Sequence, residues 1–154
     1  MSSIEGGTPE DYEISTDPAR LDVAAIHAYL KRSYWSPGIP YAVVERAVRN
    51  SLCFGLYEKA GDSQVGLSRV VTDHATFAYL CDVYVLEAHR GRGLGKFLMS
   101  TVMSHPALTG ARRAMLGTRD AHGLYRQFGF SDAAGTRILM EIVRPDMYRS
   151  AALA

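Results

Sequence analysis

The sequence predicts a mixed α/β sandwich. Two observations carry this: β-branched and aromatic runs of strand length alternate with stretches of helical apolar period, and the longest run, Phe77 to Val85, leads straight into a glycine-rich turn that opens a helix. Taken in order, Tyr12 to Thr16 reads as a short strand, and Asp17-Pro18 then offers an N-cap followed by proline at the first helical position. Leu21, Ala25, Ala28 and Tyr29 make the inner face of that helix, which runs out near Ser33. Ser36-Pro37-Gly38-Ile39-Pro40 breaks the chain before a second helix with Val44, Ala47 and Val48 inward. Leu52 to Lys59 and Gln64 to Thr72 are strands about a Gly61-Asp62 turn, a hairpin signal. From Leu94 the stripe Leu94, Phe97, Leu98, Thr101, Val102 and His105 marks a third helix that stops before Pro106. Ala114 to Thr118 is then a strand, Asp120 caps a short helix ending at Gly129, and Thr136 to Val143 is the last strand.

Length and charge bound what such a fold can do. At 154 residues with 47% apolar content, the chain suits one compact domain over 11–144, between a flexible start at 1–10 and a tail at 145–154. A formal charge of +1 gives no global field toward nucleic acid or anionic membrane, so neither partner is expected. The cationic residues His89, Arg90, Arg92 and Lys96 are instead gathered at one turn. Cys53 and Cys81 lie in strand-like runs and read as buried free thiols of a reducing cytosol, and no metal site is expected. No stretch approaches the roughly 18 apolar residues of a membrane span, and Met1 to Pro9 has no secretory core, so a cytoplasmic protein is expected.

The segment Val83 to Lys96 joins a β-branched run to a helix through that basic turn. Gly91, Gly93 and Gly95 let the backbone turn with φ > 0 and approach a ligand closely, so successive N–H groups converge on anionic oxygens. The helix behind adds its unpaired N–H groups and the positive end of its dipole. Spacing excludes a P-loop, because Arg90 and Phe97 stand where it needs glycine and a hydroxyl, and Lys96 displaces the third glycine of a dinucleotide fingerprint.

Arg90 to Gly95, an Arg-x-x-Gly-x-Gly run, resembles the pyrophosphate loop of the GNAT N-acetyltransferase superfamily. Thr118 to Phe130, with Tyr125 four residues before Gly129-Phe130, is similar to that family's closing motif, and the resemblance runs from about Tyr12 to Val143. It implies the acyl-coenzyme A N-acyltransferase fold: a central, mostly antiparallel sheet splayed between strands 4 and 5 and flanked by helices. The pantetheine arm of acetyl-coenzyme A would lie in the splay, against unpaired backbone groups of Tyr84, Val85 and Leu86. Arg90, Gly91, Arg92, Gly93, Leu94, Gly95 and Lys96 would meet the phosphates. Thr118, His122, Tyr125 and Arg126 would supply the remaining cofactor contacts, Thr118 standing where many members carry asparagine.

The implied reaction is attack of a neutral primary amine on the acetyl thioester in a ternary complex, which needs a proton removed, an oxyanion held and the departing thiolate protonated. Tyr125 stands at the family's general-acid position. Asp82 is a carboxylate in an otherwise apolar strand, so it anchors or deprotonates the amine, or else is held in a structural salt bridge. Tyr34 and Trp35, between the first two helices, could wall the acceptor site by apolar and cation–π contact. A small-molecule amine is the expected acceptor, and a homodimer is left open. Two other readings stand beside this one: a non-catalytic acyl-coenzyme A sensor, and acetylation of a protein or peptide amine.

Overall fold

A computed structural model describes residues 9–133 and 138–152. Among these, β1 (Tyr12–Ser15), β2 (Leu52–Glu58), β3 (Ser63–Thr72), β4 (Phe77–Val85) and β5 (Arg113–Leu116) form one sheet in that order. The first three pairings are antiparallel, and short turns join β2 to β3 and β3 to β4. In the second of these turns the Asp73 carboxylate accepts from the amides of Ala75, Thr76 and Phe77. The fourth pairing is parallel and needs a crossover, which α3 (Leu94–Ser104) and α4 (Pro106–Thr109) supply.

Strand periodicity sends alternate residues to two cores. On one face α1 (Val23–Leu30) and α2 (Tyr41–Arg49) bury Ile26, Leu30, Val44 and Val48 against Cys53 and Leu67. On the other, Leu98 and Val102 of α3 and Leu108 of α4 meet Phe54, Val70 and Leu80. Removing a side chain such as Leu98 to Ala would cost about 2–5 kcal/mol at such a fully buried site. α5 (His122–Arg126) and α6 (Met147–Ala152) complete the described elements.

Several boundaries differ from the sequence reading. Asp17 caps only a 3-10 turn, Pro18–Arg20, and α1 starts one turn later, where Asp22 accepts from Ala25 N. Its buried residues are therefore Ile26, Tyr29 and Leu30, and Ala28 is exposed. Pro106 does not merely stop α3; it opens α4 at the first helical position, with His105 Nδ1 accepting from Ala107 N. Asp120 does not cap α5: the N-cap is Ala121, and Thr118 Oγ1 accepts from its amide. That helix ends at Arg126, short of Gly129. Of the expected last strand, 136–137 lie outside the described residues, and 138–143 form no strand. The run Ile138-Leu139-Met140-Glu141-Ile142-Val143 is nearly continuous in apolar residues, not alternating, so no one face of it is matched to a core.

Candidate active site

β4 holds an irregularity that the sequence does not announce. Asp82 has φ of 52°, and the β3–β4 register shifts between Leu67 and Arg69, so one extra residue is inserted in β4. The insertion flips every later side chain to the opposite face: Ala78 and Leu80 pack with α3, whereas Tyr84 packs with α1 and α2 and stacks on Tyr29, ring centroids 3.9 Å apart. Pairing with β5 stops at Leu80–Leu116, so 81–85 runs on past the end of β5. Leu86 N–H is spent on Val65 O at 2.8 Å. By the edge-to-edge alternation of strand groups, Tyr84 also addresses β3, and Val85 addresses the open side. Of the three backbone positions expected at the cofactor, Val85 is thus the one aimed into the gap. Its carbonyl accepts from Arg90 Nε at 2.8 Å.

The glycine loop follows at once. Gly91 and Gly93 have φ of 80° and 74°, and a Cβ at either would meet nothing within 4 Å, so what fixes glycine there is backbone conformation, with the outer side left open. Gly93 is the N-cap of α3 and no side chain caps that helix, which leaves its first-turn N–H groups without a side-chain acceptor. The cations divide in two. Arg90 folds back on Val85 and also reaches the Tyr29 hydroxyl at 3.1 Å, and Arg92 donates to the Tyr12 hydroxyl, which lies 2.8 Å from His89 Nδ1. These two arginines brace the loop. Lys96 is exposed on the first turn of α3 and makes no ion pair among the described residues. Open backbone donors beside a helix N-terminus and a free ammonium suit a pyrophosphate.

Thr118, His122, Tyr125 and Arg126 share the lining of a cavity of about 690 Å³ with Leu116 and Phe130. No residue of β4 or of the glycine loop lines this space, which runs along β5 and α5. His122 is exposed, and Arg126 is exposed and paired with Asp132 at 3.1 Å. Tyr125 is buried; burial first, and then Tyr34 and Asp120, push its phenol above the ordinary tyrosine range.

The two carboxylate oxygens of Asp82 are both engaged. Oδ2 accepts from Arg69 Nε at 2.7 Å, Oδ1 from Trp35 Nε1 at 2.9 Å, and the residue is only 8% exposed. Burial would lower the Arg69 guanidinium, but Asp82 and the neighbouring thiols outweigh it and hold it above its usual value. Arg69 also donates to Ser51 Oγ at 3.1 Å. Sequence reasoning passed over Arg69, although it and Asp82 are lone opposite charges in adjacent apolar strands, a pattern that invites pairing. Trp35 packs edge-on to Tyr34, ring centroids 5.0 Å apart, and Arg119 lies with its guanidinium carbon 3.8 Å from the Tyr34 ring centre. The loop between α1 and α2 is thereby tied to the β4 bulge through Trp35 and to the segment after β5 through Tyr34.

Comparison with known proteins agrees with this fold. The acetyltransferase (GNAT) family model matches residues 23–130. A candidate acetyltransferase of Gibberella zeae is 38% identical, the match covering 86% of each chain. The crystal structure of a candidate GNAT-family acetyltransferase from Xanthomonas campestris pv. campestris is 48% identical, with a TM-score of 0.87 over 92% of this chain and 99% of that one. A GNAT-family acetyltransferase from Elizabethkingia anophelis, solved with acetyl-coenzyme A bound, shares the fold at a TM-score of 0.60 and 13% identity, covering 79% of this chain and 77% of its own.

Proposed function

The chain belongs to the acetyltransferase (GNAT) family, and on that premise we propose that it moves the acetyl group of acetyl-coenzyme A to a primary amine of a small molecule by direct attack in a ternary complex. One observation carries the reading: an uncapped helix N-terminus behind two left-handed glycines stands directly after the stretch of β4 that has parted from β5. The cofactor would supply an activated acetyl thioester.

In this reading the first-turn amides of α3 and Lys96 hold the phosphates, and Val85 pairs with the arm as a further strand would. Thr118 Oγ1 already accepts from Ala121 N and keeps its own proton to donate. Tyr125 is the general acid, and its raised pKa keeps the phenol protonated at neutral pH. Tyr34 and Trp35 enclose the amine. Asp82 positions Trp35 and Arg69, each of its two oxygens accepting from one of them. Direct attack is favoured over relay through a cysteine, because burial pushes the thiols of Cys81 and Cys53 up to about 11 and about 12, far from the thiolate a nucleophile requires.

The test is incubation with acetyl-coenzyme A and a panel of small amines, with mass spectrometry of the amine and measurement of released thiol. Acetylated amine and thiol in equal amounts are expected. Acetyl-coenzyme A binding without thiol release for any amine would favour the non-catalytic acyl-coenzyme A module instead.

A further inference from the structure

We infer that the acceptor amine also carries an anionic group, a carboxylate or a phosphate, and that Arg119 receives it; the inference rests on the acetyltransferase reading above. The charge balance of the acceptor side points there. The one carboxylate at the β4 bulge, Asp82, is buried and neutralised by Arg69, so it offers no field to a second ammonium. Arg119 is exposed and, among the described residues, makes no ion pair, Asp120 beside it included.

Its place is the acceptor side of the gap. The guanidinium lies 3.8 Å over the ring of Tyr34, whose edge meets Trp35 on Asp82, so a continuous line of contacts runs from the bulge to Arg119. Two residues before Arg119, a Cβ at Gly117 would lie 3.8 Å from the hydroxyl of Tyr79 on β4. Tyr79 is exposed and pairs with exposed Val71, next to the Arg69–Cys81 pair. Arg119 therefore stands near exposed Tyr79 with its guanidinium over the Tyr34 ring, a contact that consumes none of its five N–H donors. A planar guanidinium matches a carboxylate or phosphate in two parallel hydrogen bonds. A ligand with an amine at the β4 bulge and an anion at Arg119 meets opposite charge at its anionic end, whereas a diamine meets like charge there.

The experiment compares acceptors of one chain length: an aminocarboxylate, an aminoalkyl phosphate, the carboxamide of the first, and a diamine. Each kcat/KM is taken on its pH-independent plateau, so differences in the fraction of neutral amine drop out. At least one of the two anionic acceptors should exceed the carboxamide by about tenfold or more, and which one does identifies the group. Arg119→Gln should bring that ratio to about one, and Arg119→Lys should keep part of it. A higher rate with the carboxamide or diamine overturns the inference and leaves the acetyltransferase reading standing. So does an unchanged ratio in Arg119→Gln, which would make Arg119 only a clasp on Tyr34. Absence of thiol release with every amine overturns both.

Discussion

In the proposed reading, Asp82 serves the site by positioning Trp35 and Arg69. Its φ of 52° is tolerated by Asp and Asn far better than by most side chains, because their short polar groups compensate the left-handed region locally. Asp82→Asn should thus keep the bulge but leave Arg69 without its counter-charge, costing on the order of 3 kcal/mol, or roughly 6–12 °C in Tm for a chain of this size. Thermal unfolding measures it; an unchanged Tm together with a collapse of amine kinetics would return Asp82 to the role of proton acceptor. Tyr125→Phe tests the other end of the gap. It keeps the buried ring and deletes the proton, so turnover should fall by roughly 10²-fold, within the range of a lost acid–base group, while acetyl-coenzyme A affinity changes little. Turnover equal to wild type would assign thiolate protonation to water or another group. Both residues were legible as lone polar groups in apolar or motif settings. The bulge was not, because a left-handed Asp leaves no mark in an alternation of apolar residues, and neither was the Arg69 partner, which lies 13 positions away.

At the scale of elements, the sequence reading succeeded where local chemistry and burial agree. The limits of β4 match the structure, and the start of α3 follows from Gly93 and the stripe behind it. It failed where two local signals compete: Asp17-Pro18 is a better helix start in isolation than Asp22, yet burying Ile26 and Leu30 on the sheet selects the later one. The link between elements was also beyond its reach. Arg32, just past α1, forks onto Glu87 in the turn after β4, with Nη1–Oε1 of 2.7 Å and Nη2–Oε2 of 3.0 Å. The Arg32 hydrogen bonds, and then the residue's own amide, hold the Glu87 carboxyl down at about 2. A depressed carboxylate pKa gives stability that is present above the ordinary value of about 4.3 and is lost as pH falls through the folded value. The tie between α1 and the loop should therefore persist at pH 4 and open as pH approaches 2. A titration of the Glu87 side-chain carbon by NMR should show that low midpoint, and a midpoint near that of a free glutamate would mean the fork does not form in solution.

Across the whole molecule, the division of labour follows from topology. Antiparallel β1 to β4 give a rigid sheet buried on two faces, and the single parallel pairing lets β4 run on past β5 so that its last residues open toward α3. The bulge, the glycine loop and the α1–α2 aromatics all converge on that opening, although they come from segments far apart in the chain. Among the exposed cations that make no ion pair among the described residues, Lys96 stands at the start of α3 and Arg119 just after β5. In the proposed reading, the opening between β4 and β5 and the start of α3 hold acetyl-coenzyme A through backbone. Calorimetric titration of acetyl-coenzyme A into the wild type and Gly93→Val tests this most directly, because valine at φ of 74° is strained and closes the loop while the space around it leaves the core untouched. A dissociation constant raised at least tenfold in a variant that still unfolds cooperatively is predicted; equal affinity in the two proteins would contradict it.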